Sequence, residues 1–395
     1  MASEVLQKSL DLKEYIVQAK RRIHREPELE MQEFATTAFV KSELNNMGVE
    51  IAPLNLEVGA VGIIKGQKKG KGVVTALRAD MDALPIQEMT DVADRSIVPG
   101  VMHACGHDCH TAMLLGAAKL LMSLREHFSG TVKLIFQPAE ESFNGSEYMI
   151  NNGALENPAV DYILGLHGDS SHKVGEIALR EGMYMASSDL FTVKITGVSG
   201  HGAYPHSIGC DPILAASNCV MAIQSIITRQ IDALDSVVIS ICQMHGGTAK
   251  NIIPETVEFS GTVRCQNKHT RNTMEKRIYD VIQGVASTYK CKAELDYYYG
   301  VPPLVNSPKV TQIVRKSAEK IVGPMKVKDI EIPAMGSEDF AKYLEVVPAG
   351  VFARLGISYS DRSIPIFHND CFVFPEEVLP YGTALFVQFV LDVNQ

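Results

Sequence analysis

The chain has 395 residues, 46% of them hydrophobic, and its 37 basic and 46 acidic residues give a net charge of −9. This acidic balance, with no basic block interleaved with aromatic residues, argues against nucleic acid as a partner. No apolar run approaches a membrane span, the N-terminus lacks a signal-peptide core and the eight cysteines have no framework spacing, so we expect a cytoplasmic protein that does not bind membranes.

The N-terminal part predicts helices followed by a strand that ends in carboxylates. Residues 3–47 are expected to form two amphipathic helices that break at Pro27. Residues 73–79 are typical of a strand, and the turn after it presents Asp80 and Asp82. Because open α/β sheets carry their sites at the carboxyl ends of the strands, these two carboxylates are candidate site residues.

The segment MHACGHDCHTA, residues 102–112, places several side chains of the types that bind zinc and similar divalent ions within eight positions: His103, Cys105, His107, Asp108 and His110. Gly106 permits a tight backbone between Cys105 and His107, whose side chains are expected to point the same way. The apolar residues that follow have helical spacing with one buried stripe, which predicts that the cluster lies on a loop opening a buried helix. Cys105 and Cys109 could instead form a redox pair, but such a pair does not require the histidines.

Further apolar runs end in groups of the metal-binding type. TVKLIFQPAEES ends in Glu140 and Glu141, DYILGLHG delivers His167, and SIPIFHND offers His368 after a short apolar run. Each of these groups alone could be a solvated loop charge. Their repeated delivery at strand ends, together with the neighbouring cysteine and histidine of the 102–112 segment, predicts a metal site.

The middle of the chain predicts a separate domain. Residues 187–300 have the order strand, helix, strand, strand, helix, strand, which is the βαββαβ pattern of a ferredoxin-like domain. We interpret it as an inserted lid, with residues 1–186 and 301–395 forming one discontinuous catalytic domain, and the chain is long enough to bury two cores.

Two polar residues of the middle region are ambiguous. Arg264 ends an apolar strand, where a guanidinium can clamp a substrate carboxylate, although it could equally lie on the exposed face of a sheet. Asn251 could be a turn residue.

The C-terminal part predicts helices at Pro308–Val322 and Pro375–Leu391. Between them, Ser337 of GSEDF is expected to cap a helix that carries Glu338 and Asp339 in its first turn. We favour this capping role over an approach of Glu338 to the site.

Eight motifs in order resemble one family of metal-dependent amidohydrolases: RADMDALP, MHACGHDCH, FQPAEE, GLH, GVSGHGAYPH, GGTAKNIIP, MGSEDF and FHND. The family includes aminoacylases, hippurate hydrolases, indoleacetyl-amino-acid hydrolases and carboxypeptidase G-like peptidases, and the chain resembles its branch with a cysteine metal ligand. The resemblance implies an α/β fold: a catalytic mixed-sheet domain of the zinc-aminopeptidase type with the inserted ferredoxin-like lid. It also implies that the acidic segment EPELEMQE, residues 26–33, is a structural entry to the second helix.

The resemblance implies a set of ligands for two divalent cations per subunit, with zinc or manganese expected and cobalt or nickel as alternatives: Cys105, His107, Glu141, His167 and His368. Glu140 would be the general base, and adjacent glutamates after one strand are expected to point to opposite sides and divide the two tasks. Many relatives have a ligand histidine at the position of Asp80, followed two residues later by an aspartate that orients it, so we assign Asp80 and Asp82 to orienting the ligands. His103, Asp108 and His110 are further candidates for such support.

In the lid, the resemblance implies that His201 stabilises the oxyanion, often across a dimer interface, and that Asn251 and Arg264 contact the substrate. The expected reaction is hydrolysis of N-acetyl, N-benzoyl or similar N-acyl amino acids, or of small peptides, to release a free amino acid. The expected assembly is a homodimer through the lid domain, or a higher oligomer.

Three alternatives remain open at this point. The enzyme could be a carboxypeptidase or dipeptidase of short peptides. It could be a cysteine hydrolase with Cys105 as nucleophile and His107 or His110 as base, which would leave the other candidate ligands unexplained. It could also be a non-catalytic binding or scaffold protein, although every predicted ligand and Glu140 are present.

Overall fold

The computed structural model of the chain describes residues 4–359 and 367–394. The helices are α1 Glu4–Asp11, α2 Lys13–Arg25, α3 Phe34–Asn46, α4 His107–Ser123, α5 Gly145–Asn151, α6 Pro205–Ile208, α7 Pro212–Arg229, α8 Lys268–Thr288, α9 Pro308–Val322, α10 Phe340–Val346 and α11 Leu379–Val393. The strands are β1 Glu50–Ile51, β2 Ala60–Lys65, β3 Val74–Asp80, β4 Thr131–Gln137, β5 Tyr162–Lys173, β6 Ile177–Leu179, β7 Gly182–Met185, β8 Ser188–Thr196, β9 Gly200–His201, β10 Val237–Gly246, β11 Ile252–Ile253, β12 Thr256–Cys265, β13 Lys292–Val301, β14 Leu304–Asn306, β15 Val327–Asp329 and β16 Gly350–Ser358. None of the helices in these described ranges is long and apolar enough to cross a lipid bilayer.

The described residues form two compact units. The first runs to Gly182 and takes up the chain again at Val305–Ile332 and from Asp339 onward. The second comprises Met183–Leu304 together with Pro333–Glu338. The sequence places the corresponding boundaries at residues 186 and 301.

The first unit is built on a mixed eight-stranded sheet with the strand order β1-β2-β4-β3-β5-β16-β6-β15. The central strands β4, β3, β5 and β16 are parallel to one another, whereas β2 runs antiparallel to β4 and β6 antiparallel to β16. The mixed α/β architecture predicted from the sequence is confirmed. Because parallel strands share a carboxyl edge, the segments that follow β3, β4 and β5 meet at one end of the sheet.

Helix α4 lies in the core of this unit. It packs against α2, α11 and β3, and every residue from His107 to Ala118 is buried. The single buried stripe predicted from the sequence is therefore wrong, because neighbouring elements cover the helix on several sides. A Cβ atom on Gly116 would lie 2.8 Å from Ile16 Cγ1, so glycine allows α2 to pack this closely.

The N-terminal helices differ from the prediction in one respect. The helical region expected before Pro27 is divided into α1 and α2 at Leu12, whose N–H bonds to Ser9 O at 3.1 Å. The second predicted helix begins only at Phe34. Helices α9 and α11 lie where the sequence places them, with a short 3₁₀ turn at Glu376–Val378 before α11.

The second unit contains a four-stranded antiparallel sheet with the order β10-β12-β8-β13. Helices α7 and α8 pack together against this sheet, so the chain order β8-α7-β10-β12-α8-β13 gives the expected βαββαβ pattern. Buried Asp189 accepts hydrogen bonds from the Arg271 guanidinium, the shortest at 2.7 Å, and ties α8 to β8.

Candidate metal centre

The segment 102–112 straddles the start of α4. Cys105 lies in the preceding loop, and Gly106 adopts a left-handed conformation, with a φ of 87°, directly before His107 begins the helix. A Cβ atom at position 106 would lie 2.6 Å from Phe374 Cδ2, so this turn requires glycine. The sequence predicts the whole cluster on a loop, whereas its second half, from His107 onward, forms the first helical turn.

The turn after β4 carries the two candidate glutamates. The strand ends at Gln137, and Ala139 then adopts a positive φ of 52°, so the alternation of side chains along the strand does not extend to the glutamates. Carboxylate oxygens of Glu140 and Glu141 and a ring nitrogen of His107 lie within 4.8 Å of one another. The prediction that the two glutamates point to opposite sides is therefore wrong.

The five predicted ligands come together in two overlapping groups. Ligand atoms of Cys105, His107 and His167 lie within 4.8 Å of one another, and so do those of Cys105, Glu141 and His368. Cys105 Sγ lies 3.3 Å from His167 Nε2. Glu141 Oε1 lies 3.3 Å from His368 Nε2 and 3.9 Å from His107 Nε2.

His368 occupies the most exposed position of the five, with 52% of its side chain accessible. Its backbone has a φ of 64°, and its N–H donates to Ala104 O at 2.9 Å, which fixes this segment beside the loop that carries Cys105. The apolar run predicted before His368 lies, at residues 363–366, outside the described residues.

The hydrogen bonds of two histidines determine which ring nitrogen faces the cluster. His107 Nδ1 lies 3.0 Å from Asp82 Oδ1, and His167 Nδ1 lies 2.8 Å from Gly168 O. Because a carbonyl or carboxylate oxygen accepts only an N–H, each Nδ1 carries a proton, and each Nε2 is left to face the cluster. His107 Nε2 is buried and has no hydrogen-bond partner in the described part of the chain. This donor set fits divalent metal ions.

Electrostatics separate the roles of the thiol and the imidazole. Burial, reinforced by the charge of Glu141, raises the pKa of Cys105 to about 12. A thiol that holds its proton so strongly is a poor nucleophile without a cation, which disfavours the cysteine hydrolase alternative. Burial, together with the charges of His110 and Arg354, holds the pKa of His167 well below its usual value, so this ring is neutral, as a ligand must be.

The carboxylates of Asp80 and Asp82 are hydrogen-bonded to neighbouring side chains. Asp80 Oδ1 lies 2.6 Å from His110 Nδ1, and its Oδ2 accepts from Arg78 Nη1 at 2.5 Å. Although burial opposes it, the neighbouring His107, Arg78 and His110 hold the pKa of Asp80 well below its usual range. Asp82 accepts from His107 with one oxygen and from the Glu141 N–H, at 2.9 Å, with the other. The contacts of Asp82 support orientation of His107 and Glu141 as its role. Asp80 bonds to His110 and Arg78 instead, and its carboxylate lies within 4.8 Å of ring nitrogens of His107 and His110, a group that fits a metal ion.

The three further candidates of the 102–112 segment, His103, Asp108 and His110, have different surroundings. The ring of His110 lies 4.7 Å from that of His167, and Gly168 N–H donates to His110 Nε2 at 3.4 Å, which connects this histidine to the cluster. Asp108 instead pairs with His24 Nδ1 at 2.8 Å. Neither ring nitrogen of His103 has a hydrogen-bond partner among the described residues.

The three predicted substrate-binding residues belong to the second unit. His201 lies on β9, where it pairs with Ile252 of β11, directly after Asn251, and both His201 and Asn251 are exposed. Gly202 N–H donates to Asn251 O at 2.8 Å, so these two residues lie on adjacent segments. Arg264 lies on β12 and is partly buried.

Comparison with known proteins identifies the family. Residues 76–392 match the family described as Peptidase family M20/M25/M40. The chain belongs to this family. An Arabidopsis thaliana protein named IAA-amino acid hydrolase ILR1-like 4 is 41% identical over 386 residues, which cover 96% of this chain and 86% of the relative. An N-acetyl-L-cysteine deacetylase of Bacillus subtilis is 40% identical and covers 87% of this chain and 81% of its own.

A solved structure supports the same assignment. A peptidase of the M20 family from Bacillus subtilis, described as dinuclear metal binding, superimposes with a TM-score of 0.84 at 33% identity and covers 97% of this chain and 99% of its own. The recognition made from the sequence motifs is confirmed. As a member of the M20 family, the chain is a hydrolase.

A buried ionic network behind the M20 site was not identified from the sequence. Arg78 donates to Asp80, to Gln137 Oε1 at 2.8 Å and to Asp339 Oδ1 at 2.7 Å, and both members of the Arg78–Asp339 pair are fully buried. A signal was present, since Arg78 interrupts an otherwise apolar strand, and a buried charge requires partners.

The predicted cap of the helix after GSEDF is wrong. Helix α10 begins at Phe340 with Asp339 at its N-cap position and no side-chain cap hydrogen bond. Asp339 cannot act as a local cap because its carboxylate accepts from Arg78, Gln137 and the Ser146 N–H. Ser337 Oγ is buried and has no hydrogen-bond partner in the part of the chain that the structure describes.

Proposed function

We propose that this hydrolase holds two divalent metal ions and releases a free amino acid from N-acyl amino acids. The observation that carries the proposal is the convergence of two overlapping ligand groups that share Cys105, with Glu140 beside them. The names of the two relatives, one an IAA-amino acid hydrolase and one an N-acetyl-L-cysteine deacetylase, support the substrate class.

We assign the five converging residues as the residues that would hold the ions, with Cys105 belonging to both groups. Thiolate and imidazole suit zinc, and the same set with a carboxylate also accepts manganese, cobalt or nickel. Asp82 and Gly168 support this assignment, since their oxygens fix the rings of His107 and His167 with Nε2 toward the cluster.

When bound, the metal ions would supply Lewis-acid chemistry, which polarises the scissile carbonyl and lowers the pKa of a bound water. Glu140 removes a proton from this water as the water oxygen bonds to the carbonyl carbon. Glu140 then donates the proton to the amide nitrogen as the carbon–nitrogen bond breaks, which yields a carboxylic acid and a free amino acid. Glu140 is 6% exposed, so little solvent competes for this proton.

Recognition of the amino-acid carboxylate is assigned to Arg264. Burial lowers the pKa of its guanidinium without removing the charge, and the hydrogen bond described for it is a long one, at 3.3 Å, to Val263 O. A guanidinium with free donors binds a carboxylate in a bidentate manner. We assign stabilisation of the oxyanion to His201 and a further substrate contact to Asn251.

The test is release of free amino acid from a panel of N-acetyl, N-benzoyl and indoleacetyl amino acids and dipeptides, with chelator and with metal ions added back. Turnover that a chelator abolishes and metal ions restore supports the proposal. Preference for dipeptides would replace it with the peptidase alternative. Turnover that resists chelation but is blocked by thiol alkylation would contradict it in favour of a Cys105 nucleophile.

We further propose a homodimer through the lid domain and a cytoplasmic location. The exposed edge strand β10, with accessible Val238 and Met244, supports the dimer, because an unpaired edge can extend its sheet into a partner. The eight free thiols support a reducing compartment.

A further inference from the structure

Glu33 is an acidic residue at the start of α3 that does not cap the helix. It occupies the N-cap position, but its side chain makes no hydrogen bond to the first turn. The cap is supplied by Glu28, whose carboxylate accepts from the N–H groups of Ala35 and Thr36 at 2.9 and 2.8 Å. The carboxyl group of Glu33 is therefore free for another partner.

That partner lies in the turn after β4. Glu33 Oε1 accepts a hydrogen bond from the Ala139 N–H at 2.8 Å, across 106 positions of sequence, and the Glu33 side chain is fully buried. Ala139 has a φ of 52°, a left-handed conformation that a residue with a Cβ atom adopts only when its surroundings hold it. The hydrogen bond from its N–H to the buried Glu33 carboxyl group stabilises this conformation.

The turn is held at its other end by a second buried carboxylate. Asp82 Oδ2 accepts from the Glu141 N–H at 2.9 Å, and Asp82 is 1% exposed. Glu140 lies between these two anchored peptide groups. Its backbone position is therefore fixed from both sides, by Glu33 through Ala139 and by Asp82 through Glu141.

We propose that Glu33 is a positioning residue for the reaction: its carboxyl group holds the Ala139 peptide so that the turn presents Glu140 to the metal centre. This role rests on the proposed function, in which Glu140 is the general base. The acidic segment 26–33 then has two roles. Glu28 caps the first turn of α3, and Glu33 fixes the turn that carries Glu140.

The protonation state of Glu33 determines which substitution preserves its hydrogen bond to Ala139. Burial, together with the charge of Asp82, raises the pKa of Glu33 to about 8, so the group is a neutral acid at neutral pH. Glutamine has the same shape, is neutral and retains an acceptor oxygen for the Ala139 N–H. Alanine removes the acceptor altogether.

The experiment compares Glu33→Ala and Glu33→Gln with Glu28→Ala in the full-length protein. For Glu33→Ala we expect kcat to fall about a hundredfold, since small displacements of a catalytic group have effects of this size, with KM and bound metal unchanged. Glu33→Gln is expected to keep kcat within about threefold of the unchanged protein, since it retains the acceptor. Glu28→Ala is expected to lower the melting temperature through loss of a cap while kcat stays unchanged.

Hydrogen–deuterium exchange of residues 138–146 provides a readout that needs no substrate. Faster exchange of this peptide in Glu33→Ala, but not in Glu28→Ala or Glu33→Gln, supports the hold on the turn. Unchanged exchange in a folded Glu33→Ala protein, equal loss of kcat in Glu33→Ala and Glu33→Gln, or loss of metal in parallel with kcat would overturn the role of Glu33. Absence of turnover in the unchanged protein together with the expected exchange pattern would instead count against the proposed function.

Discussion

In His107 and His167, a hydrogen bond at Nδ1, on the side of the ring away from the cluster, orients Nε2 toward the candidate metal centre. Each ring donates Nδ1–H to an oxygen, that of Asp82 or of Gly168, and so leaves Nε2 to face the cluster. The backbone of Gly168 serves twice, because its carbonyl accepts from His167 while its N–H donates to His110. The chemistry of the ligands is thus determined by residues that need not touch a cation.

Replacement of Glu140 by glutamine tests the general base. We expect kcat to fall by about a hundred- to ten-thousand-fold, because the amide cannot accept the proton of the water. Metal content and melting temperature should stay unchanged, since Glu140 is not assigned as a ligand. Full turnover by Glu140→Gln, measured with the best substrate of the panel, would show that another group takes the proton.

The raised pKa of Glu33 predicts a pH-dependent stability. The folded state holds the proton up to pH about 8, whereas the unfolded chain releases it near its ordinary value of 4.5, so wild-type stability falls as the pH rises between these values. Glu33→Gln lacks this dependence. Its free energy of unfolding should rise relative to that of the wild type by up to about 1.4 kcal/mol per pH unit within that window. Urea unfolding of both proteins at several pH values measures the difference. A constant difference would mean that Glu33 is ionised in the folded protein.

At the scale of elements, the Arg78 network joins four elements of the fold. Arg78 on β3 contacts Gln137 at the end of β4 and Asp339 at the start of α10, and Asp339 also accepts from Ser146 in α5. The network lies directly behind the turns that carry the candidate ligands. It therefore fixes the strand ends relative to one another.

Arg78→Met is expected to destabilise the protein by about 3–5 kcal/mol, because it leaves two buried carboxylates without their cation. The exposed pair Lys276–Asp280 supplies the control, and Lys276→Ala should change stability by no more than about 0.5 kcal/mol. Denaturant unfolding measures both. A loss below about 1 kcal/mol for Arg78→Met would indicate that the carboxylates are relieved by protonation.

At the scale of the whole molecule, the proposed dimer has a direct test. Light scattering should give twice the chain mass of 43.2 kDa. Aspartates at Val238 and Met244 on β10 would bring like charges from both copies into the interface and should yield monomers. Met221→Asp on α7, at a residue that is 74% exposed, is the matched control and should leave the dimer intact. A dimer that survives the β10 changes would place the interface elsewhere.

Sequence patterns predicted most elements and the convergence of the candidate ligands, because both follow from local periodicity and from the shared carboxyl edge of parallel strands. Other features depend on contacts that no local pattern encodes. Glu33 lies in a segment whose sequence is typical of the start of a helix, yet its carboxyl group accepts a hydrogen bond from a turn 106 residues away. Asp339 likewise has the sequence position of an acidic residue in the first turn of a helix, but its carboxylate accepts a hydrogen bond from Arg78. The direction of Glu140 was mistaken because the positive φ of Ala139 interrupts the strand alternation.

The candidate ligands span positions 105 to 368 and come from four separate segments of the first unit. An unfolded chain cannot assemble such a set, so the free energy of ion binding adds directly to the free energy of folding. At a free-ion concentration one hundred times the dissociation constant, this linkage contributes about 2.7 kcal/mol. The ions would thus cross-link distant parts of a chain that has no disulfide for the purpose, and the melting temperature of the protein would report its metal loading.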